Sequence, residues 1–280
     1  MTPHQLIAEV EGLFSLPEVY LQIRNTIDDP KSSIDDVARI ISRDPNISAR
    51  ILRIANSSFF GFATEITTVS RAITIMGLAH LHDLVLAVSA VKAFKGIDSD
   101  LITMKDFWLH SVFCATIAHL LARKCNIIDN ERLFVCGILH DLGHLVIYAK
   151  LPNQAGKVLC KAKQEQRPVA DLERESYGFD YADVGGELLK SWNLPASLYQ
   201  TVANHTHLYL AEQFELDSAI IQISNILALQ DESIKTGIPA PDYEPQALRI
   251  TGLTEDELEP VKIEAKRNMA EIIKLLFAQV

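Results

Sequence analysis

Apolar residues recur three and four positions apart along nearly the whole chain, the spacing that places them on one face of an α-helix. This pattern predicts long helices over residues 78–94 and 104–124, and no stretch alternates long enough to predict a β-strand. Gly185 and Gly186 lie inside a helical pattern, where we expect them to allow a close helix approach. Helix starts are predicted at capping residues and prolines, chiefly at Ser33-x-x-Asp36, Asp44-Pro45 and Thr254-x-x-Glu257. The pattern predicts an all-α protein.

Two polar interruptions predict the domain organisation. The segment around residues 95–103 is polar and short, which indicates a sub-domain boundary. We therefore predict one domain over 12–230, with sub-domains at about 1–97 and 98–230. Three prolines and a glycine within 231–247 indicate a loop, which we predict over 231–253. The apolar spacing after Thr254 predicts a C-terminal helix over 254–280, which either docks on the core or forms a dimer.

Composition narrows the range of functions. The 280 residues carry a net charge of −10, and nearly all of the acidic surplus lies after residue 95. A basic face for nucleic acid is therefore not expected, and neither is binding to an anionic membrane surface. The four cysteines form no C-x-x-C pair and are expected to be free thiols in a reducing cytosol. We expect a cytoplasmic protein, since no signal peptide or long membrane-spanning stretch is evident.

Polar groups occur in the middle of the apolar stretch 131–148, which contains His140, Asp141 and His144. If this stretch is one helix, the two histidines lie one turn apart on the same face. Buried imidazole and carboxylate groups need a hydrogen-bonding partner or a metal ion to offset their desolvation. Two interpretations stay open, a metal site and a buried hydrogen-bonded cluster in which Asp141 accepts from a histidine. His144 is predicted to be a partly exposed turn residue, and His207 a surface residue.

Several motifs together resemble the HDOD domain, the output domain of bacterial signalling proteins that is related to the HD metal-dependent phosphohydrolases. They are IISRDP at 40–45, ILRIANS at 51–57, WLHS at 108–111, HDLGH at 140–144 and WNLP at 192–195. The resemblance covers about residues 12–230. It implies an all-helical fold in which an N-terminal helical sub-domain packs on a C-terminal HD-like sub-domain.

The resemblance also implies a set of metal ligands. His110, His140 and Asp141 match the first histidine and the HD pair of the family, and His205 matches the first residue of a later histidine pair. In an active enzyme, Asp141 would be the catalytic carboxylate. Such ligands hold a cation that acidifies a water molecule and neutralises a phosphate.

Three further family positions depart from the motif. Tyr181 replaces a histidine, Thr206 the second histidine of the pair, and Asn225 the last aspartate. The asparagine is the most telling change, because a neutral amide oxygen binds a hard cation more weakly than a carboxylate does. Asp217 and Asp231 are too far from position 225, along or around a helix, to replace it.

These substitutions predict a stand-alone bacterial regulatory protein that is not an enzyme and that acts by binding a signalling protein partner. The expected cofactor is none, or a residual divalent ion of Mn, Fe, Ni or Zn at low occupancy. A nucleotide is a weaker candidate ligand. The alternative is a metal-dependent phosphohydrolase that acts on a nucleotide or a phosphodiester. The two hypotheses differ in whether the site turns over a substrate.

Overall fold

Helices make up all the regular structure of the described residues in a computed structural model. The structure describes residues 1–10, 14–57, 59–61, 64–94 and 100–277, without the side chains of 233 and 234. The all-α prediction is confirmed. The helices are α1 Pro3–Ala8, α2 Glu18–Asp28, α3 Ile34–Ser42, α4 Pro45–Ala55, α5 Val69–Met76, α6 Leu78–Ala93, α7 Met104–Lys124, α8 Asn130–Leu139, α9 Leu142–Lys150, α10 Pro152–Glu165, α11 Val169–Tyr177, α12 Tyr181–Ser191, α13 Ala196–Asn204, a 3-10 helix Leu208–Leu210, α14 Glu215–Thr236, α15 Pro245–Thr251 and α16 Glu255–Phe277.

The chain forms two units, and their composition differs from the predicted sub-domains. One unit comprises Met1–Leu13 and Gly96–Lys266, and the other comprises Phe14–Lys95 and Arg267–Val280. The N-terminal helix α1 thus belongs with α7 to α15, although it was predicted in the sub-domain at 1–97. It does so because Leu6 and Ile7 are buried there, a contact between residues far apart in sequence. The predicted domain start at 12, the boundary near 97 and the chain end at 280 lie outside the described residues.

The smaller unit confirms the predicted helix starts. Ser33 and Asp36 form a reciprocal capping box, in which the backbone N–H of Ser33 donates to the Asp36 carboxylate at 3.0 Å. The Asp44 carboxylate accepts from the backbone N–H groups of the first turn of α4. Phe14 and Phe94 stack inside this unit with ring centroids 4.8 Å apart. Local capping therefore sets where these helices begin, and apolar burial holds them.

The loop predicted at 231–253 is wrong over much of its length. Helix α14 continues to Thr236, and α15 spans Pro245–Thr251. Proline is the first residue of α15, where its missing N–H costs no hydrogen bond, and Gly252 ends the helix with φ 68°. The C-terminal helix α16 starts at the predicted place, because Thr254 and Glu257 bond reciprocally, with Thr254 N–H donating at 3.0 Å.

The larger unit is built around α7, α8, α9 and α14. The single helix expected over 131–148 is two helices, α8 and α9, which break at His140 and Asp141. By length and composition, Asn130–Lys150 is apolar enough to cross a membrane, but 83% of its apolar window is buried inside the protein. The stretch therefore belongs to the core of the larger unit. The break between its two helices turns the polar residues towards the neighbouring helices.

Glycines set the close contacts between the helices of this unit. A Cβ atom at Gly137 would overlap the backbone of Ala115 in α7, and one at Gly143 would overlap the carbonyl of Tyr181 in α12. A Cβ at Gly186 would lie 2.5 Å from the Cβ of Ala203 in α13. The close approach predicted for the glycine pair is confirmed. These contacts fix how near α8 and α9 lie to the helices that carry the other site residues.

We expect Gly186→Ala to destabilise the protein by about 1–3 kcal/mol, because the added methyl group has no room against α13. The matched control is Gly156→Ala in α10, where the nearest described atom to the new Cβ is in the Leu101 side chain, at 3.6 Å. That control should be neutral or gain up to about 1 kcal/mol through helix propensity. Urea unfolding midpoints measure both. Equal shifts of the two variants would contradict the close contact.

Candidate functional site

Four polar side chains from separate parts of the larger unit converge at one point. They are His110 from α7, His140 and Asp141 from the α8–α9 break, and Asn225 from α14. The Nε2 atom of His110 lies 3.3 Å from His140 Nε2, 3.2 Å from Asp141 Oδ2 and 3.1 Å from Asn225 Oδ1. All four residues are buried. The structure thus places three of the four predicted ligands at one centre, with Asn225 beside them.

The histidine rings are oriented by acceptors at their other nitrogen. Nδ1 of His140 lies 2.8 Å from the carbonyl oxygen three residues earlier, and His205 Nδ1 makes the same contact at 2.7 Å. Nδ1 of His110 lies 3.0 Å from Oε1 of Glu232. An acceptor at Nδ1 requires the N–H there, so the lone pair is on Nε2. Metal-binding histidines are held in this manner.

The cluster fits one metal ion. Donors bonded to a single ion at about 2.1 Å lie about 3.0–3.4 Å apart. The three distances from His110 Nε2 fall in that range. In addition, Oδ1 of Asp141 is buried and accepts no hydrogen bond. His110, His140 and Asp141 would hold the ion, with the Asn225 amide oxygen as a weaker neutral donor.

Without a metal ion, a proton on His110 Nε2 can stabilise the same cluster. Burial lowers the pKa of His110, but the Asp141 carboxylate and the Glu232 hydrogen bond outweigh it and raise the pKa to about 9. Burial opposes ionisation of Asp141, yet His140 and His110 hold its pKa at about 2. Burial lowers the pKa of His140, which is therefore neutral. The structure accommodates the predicted hydrogen-bonded cluster as well as the metal site.

Tyr181 connects the cluster to His205. Its hydroxyl accepts a hydrogen bond from Asn225 Nδ2 at 3.0 Å and lies 3.4 Å from His205 Nε2. The ring of His205 meets the ring of His140 edge-on, with centroids 5.3 Å apart. Burial raises the pKa of Tyr181 well above its usual value, so its hydroxyl stays neutral. The predicted ligand His205 is therefore near the centre, but its Nε2 faces a phenol.

Thr206 takes no part in the converging cluster. Its hydroxyl donates to Asp180 Oδ2 at 2.9 Å, and that carboxylate caps the N-terminus of α12. His207, predicted at the surface, is partly buried instead, with Nδ1 3.2 Å from the same Asp180 oxygen. The buried Asp180 carboxylate needs hydrogen-bond donors, and Thr206 and His207 supply them. The sequence pattern did not indicate this pairing.

His144 is partly exposed, as predicted, but it lies in helix α9 rather than in a turn, and it belongs to the wall of the site. Its ring stacks on Tyr181 at a centroid distance of 3.8 Å. Its Nδ1 atom lies 3.6 Å from Oε1 of Glu173, a carboxyl that is 1% exposed. Burial lowers the pKa of His144 to about 4 and raises the pKa of Glu173 well above its usual value. Both groups are therefore expected to be neutral.

The sequence interpretation missed Glu173 and Glu232. Glu232 follows Asn225 by seven residues, two turns along α14, and this spacing was the available signal. Glu173 gave no local signal, because its contacts are made by α9 and α12. The two aspartates considered as replacements are engaged elsewhere: Asp231 pairs with Lys262 at 2.9 Å, and Asp217 pairs with Arg132.

A cavity of about 1100 Å³ opens onto the cluster. Its lining includes His110, Asp141, His205 and Asn225, together with aromatic and aliphatic side chains of the same unit. Clefts of this size and mixed character bind small ligands.

Comparison with known proteins identifies relatives of this chain. The family model of the HDOD domain matches residues 13–208. An uncharacterised protein of Treponema pallidum (strain Nichols) is 25% identical over 203 residues, which make up 71% of this chain and 38% of that protein. The chain therefore spans less than half the length of this curated relative.

Two solved structures share the fold. A proposed phosphohydrolase from Shewanella amazonensis SB2B superposes with a TM-score of 0.72 at 25% identity, covering 97% of this chain and 96% of that one. A proposed signal transduction protein from Marinobacter aquaeolei VT8 superposes with a TM-score of 0.70 at 18% identity, covering 96% of this chain and 60% of that one.

We expect Glu232→Gln to lower the pKa of His110 from about 9 in the metal-free protein, because a neutral amide replaces the carboxylate at Nδ1. The contribution of protonated His110 to the free energy of unfolding is fully present below about pH 6.5. It is lost as the pH rises through about 9. NMR titration of the imidazole protons in EDTA measures the pKa, and urea midpoints at pH 6 and pH 9.5 measure the linkage. The control is Glu255→Gln, at an exposed position of α16. An unchanged His110 titration in Glu232→Gln would contradict the assignment.

Proposed function

The chain belongs to the HDOD domain family, and from that premise we propose that it is a non-catalytic regulatory protein of the bacterial cytoplasm. Its HD-type site holds at most one divalent ion, and the protein acts by binding a partner protein. The similarity of its fold to that of a proposed signal transduction protein agrees with this proposal.

The Tyr181 hydroxyl is the observation that carries the proposal. It lies between Asn225 and His205, two positions where the family motif has metal ligands. A buried neutral phenol there bonds both side chains, and Asp141 is the one carboxylate of the convergent donor set among the residues that the structure describes. A two-ion centre that hydrolyses phosphate esters needs several anionic donors to neutralise its ions. This set has too few of them.

A single bound ion would have a structural role in this proposal. His110, His140 and Asp141 would hold Mn, Fe, Ni or Zn, ions that imidazole and carboxylate donors accept. An ion in such a site supplies Lewis acidity and lowers the pKa of bound water. Together with Asn225, these residues connect α7, the α8–α9 break and α14, so a bound ion would affect how firmly these helices are held together.

A metal-dependent phosphohydrolase is the second candidate. The converging histidines and the cavity above them favour it, as does the likeness to the Shewanella amazonensis protein. In that case Asp141 would be the catalytic carboxylate, and the substrate would be a nucleotide or a phosphodiester.

We expect protein purified without chelator to contain at most one equivalent of divalent metal and to release no phosphate from a panel of nucleotides and phosphodiesters. Elemental analysis and phosphate detection measure the two quantities. Where an ion is present, EDTA should lower the melting temperature of the wild type but not of His140→Ala, which has lost a donor. Two equivalents of metal with turnover that Asp141→Asn abolishes would establish the phosphohydrolase instead.

Asn225→Asp is expected to raise the affinity for Mn²⁺ at least about tenfold, because a carboxylate replaces a neutral amide at the cluster. Isothermal titration calorimetry measures the affinity. The control is Asn153→Asp, which adds the same charge at an exposed position of α10. Equal affinities for Asn225→Asp and the wild type would show that position 225 does not contact the ion.

A further inference from the structure

The charge of the cavity is opposite to that expected for a phosphate-binding site. Besides Asp141, six carboxylates line it: Asp100, Asp106, Asp171, Glu232, Asp242 and Glu244. Lys235 is the one lysine or arginine among the described lining residues. A cavity with mostly apolar walls and one sign of charge concentrates ligands of the opposite charge. Anionic ligands such as nucleotides are repelled.

Ion pairing within the protein leaves most of this charge uncancelled, since His110 is the only partner of Asp141 and Glu232 among the described ion pairs that involve those two carboxylates and another helix. No lysine or arginine side chain of the described residues lies within 4.0 Å of these carboxylates. Glu232 faces His110, and Asp171 is 4.0 Å from His207. A single divalent ion together with Lys235 would still leave the cavity negative.

A buried acceptor inside the cavity also lacks a donor. Oδ1 of Asp141 belongs to a residue that is 8% exposed, and it accepts no hydrogen bond. The His140 Nε2 atom, 3.3 Å away, carries a lone pair, because the proton of that ring is on Nδ1. An unpaired buried carboxylate oxygen is costly, and in the metal-free protein a cationic N–H donor would satisfy it.

The walls suit the apolar and aromatic contacts of an organic cation. The His144 ring stacks on the Tyr181 ring, and the Tyr148 ring also stacks on His144, with those two centroids 5.2 Å apart. Ammonium and guanidinium groups bind to aromatic faces. Leu159, Ile226 and other aliphatic side chains complete the lining and can hold an alkyl stem.

We propose that the cavity binds a small organic cation, an ammonium or guanidinium group carried on an apolar stem. The inference rests on the proposed non-catalytic function, since a phosphohydrolase needs a cavity that accepts a phosphate ester. The ligand charge sits among the carboxylates, and its stem lies along the aromatic and aliphatic wall.

The test is calorimetric titration of the full chain with 4-phenylbutylamine, 4-phenylbutanol and 4-phenylbutyrate, which share one apolar body and differ in charge. We expect the amine to bind at least tenfold more tightly than the carboxylate, with the alcohol between them. Raising the salt to 0.5 M should weaken amine binding and leave the alcohol unchanged. Equal or tighter binding of the carboxylate overturns the proposal.

Two double variants distinguish the effect of the cavity charge on amine binding from the effect of the net charge of the protein. Asp171→Asn with Asp242→Asn should weaken the amine at least fivefold and leave the alcohol unchanged. The control pair is Glu259→Gln with Glu264→Gln, which makes the same charge change at exposed positions of α16 outside the cavity and should retain amine binding. Equal amine affinities for the two double variants overturn the proposal.

Two further measurements identify how a failure arises. A capped basic hexapeptide that binds when the free amine does not would assign the cavity to a partner's side chain and overturn the small-molecule proposal. Phosphate release is measured on the same preparations. If the protein releases no phosphate and does not prefer the amine, this inference alone is overturned. If it releases phosphate and does not bind the amine, the proposed function is overturned as well.

Discussion

Burying imidazole, carboxylate and amide groups inside an apolar helical unit is the constraint on which the rest of this structure depends. Each such group costs several kcal/mol unless it is partnered. The backbone carbonyl at Nδ1 of His140 and of His205, and the Glu232 carboxylate at Nδ1 of His110, satisfy one side of every ring. The Nε2 atoms of His110 and His140 are thereby turned towards each other, where a proton or a cation relieves the meeting of their lone pairs. His205 Nε2 faces the Tyr181 hydroxyl instead.

The helix packing serves this arrangement. The chain breaks between α8 and α9 at His140 and Asp141, and both side chains lie at the centre that α7 and α14 also reach. Glycines at 137 and 143 bring α8 against α7 and α9 against α12, closer than any side chain would allow. The positions of the site residues therefore follow from backbone contacts that lie outside the site.

Under the proposed function, this centre keeps the arrangement of a metal site without its phosphate chemistry. His110 Nε2 lies 3.1 Å from the Asn225 amide oxygen, and the amide nitrogen of Asn225 donates to Tyr181, so both ends of the amide have partners. Tyr181 fills the remaining space with a neutral hydroxyl and an aromatic ring. In that proposal Asp141 supplies the negative charge among the ligand positions, while further carboxylates line the cavity around them. This distribution of charge is the reason for proposing recognition rather than phosphate chemistry.

Local sequence determined the all-helical class, most of the helix starts and the resemblance to the HDOD domain. Caps such as Ser33 with Asp36 and Thr254 with Glu257 act over three residues, so the pattern of neighbouring residues is sufficient to specify them. It also indicated His110, His140 and Asp141 as a set. Only the tertiary structure decided the break at His140, the placement of α1 with α7 to α15, and the roles of Glu232 and Tyr181. Those features depend on contacts between residues far apart in the chain. Close packing and the need to pair buried polar groups select one partner for each residue, and the spacing of residues along a helix does not identify that partner.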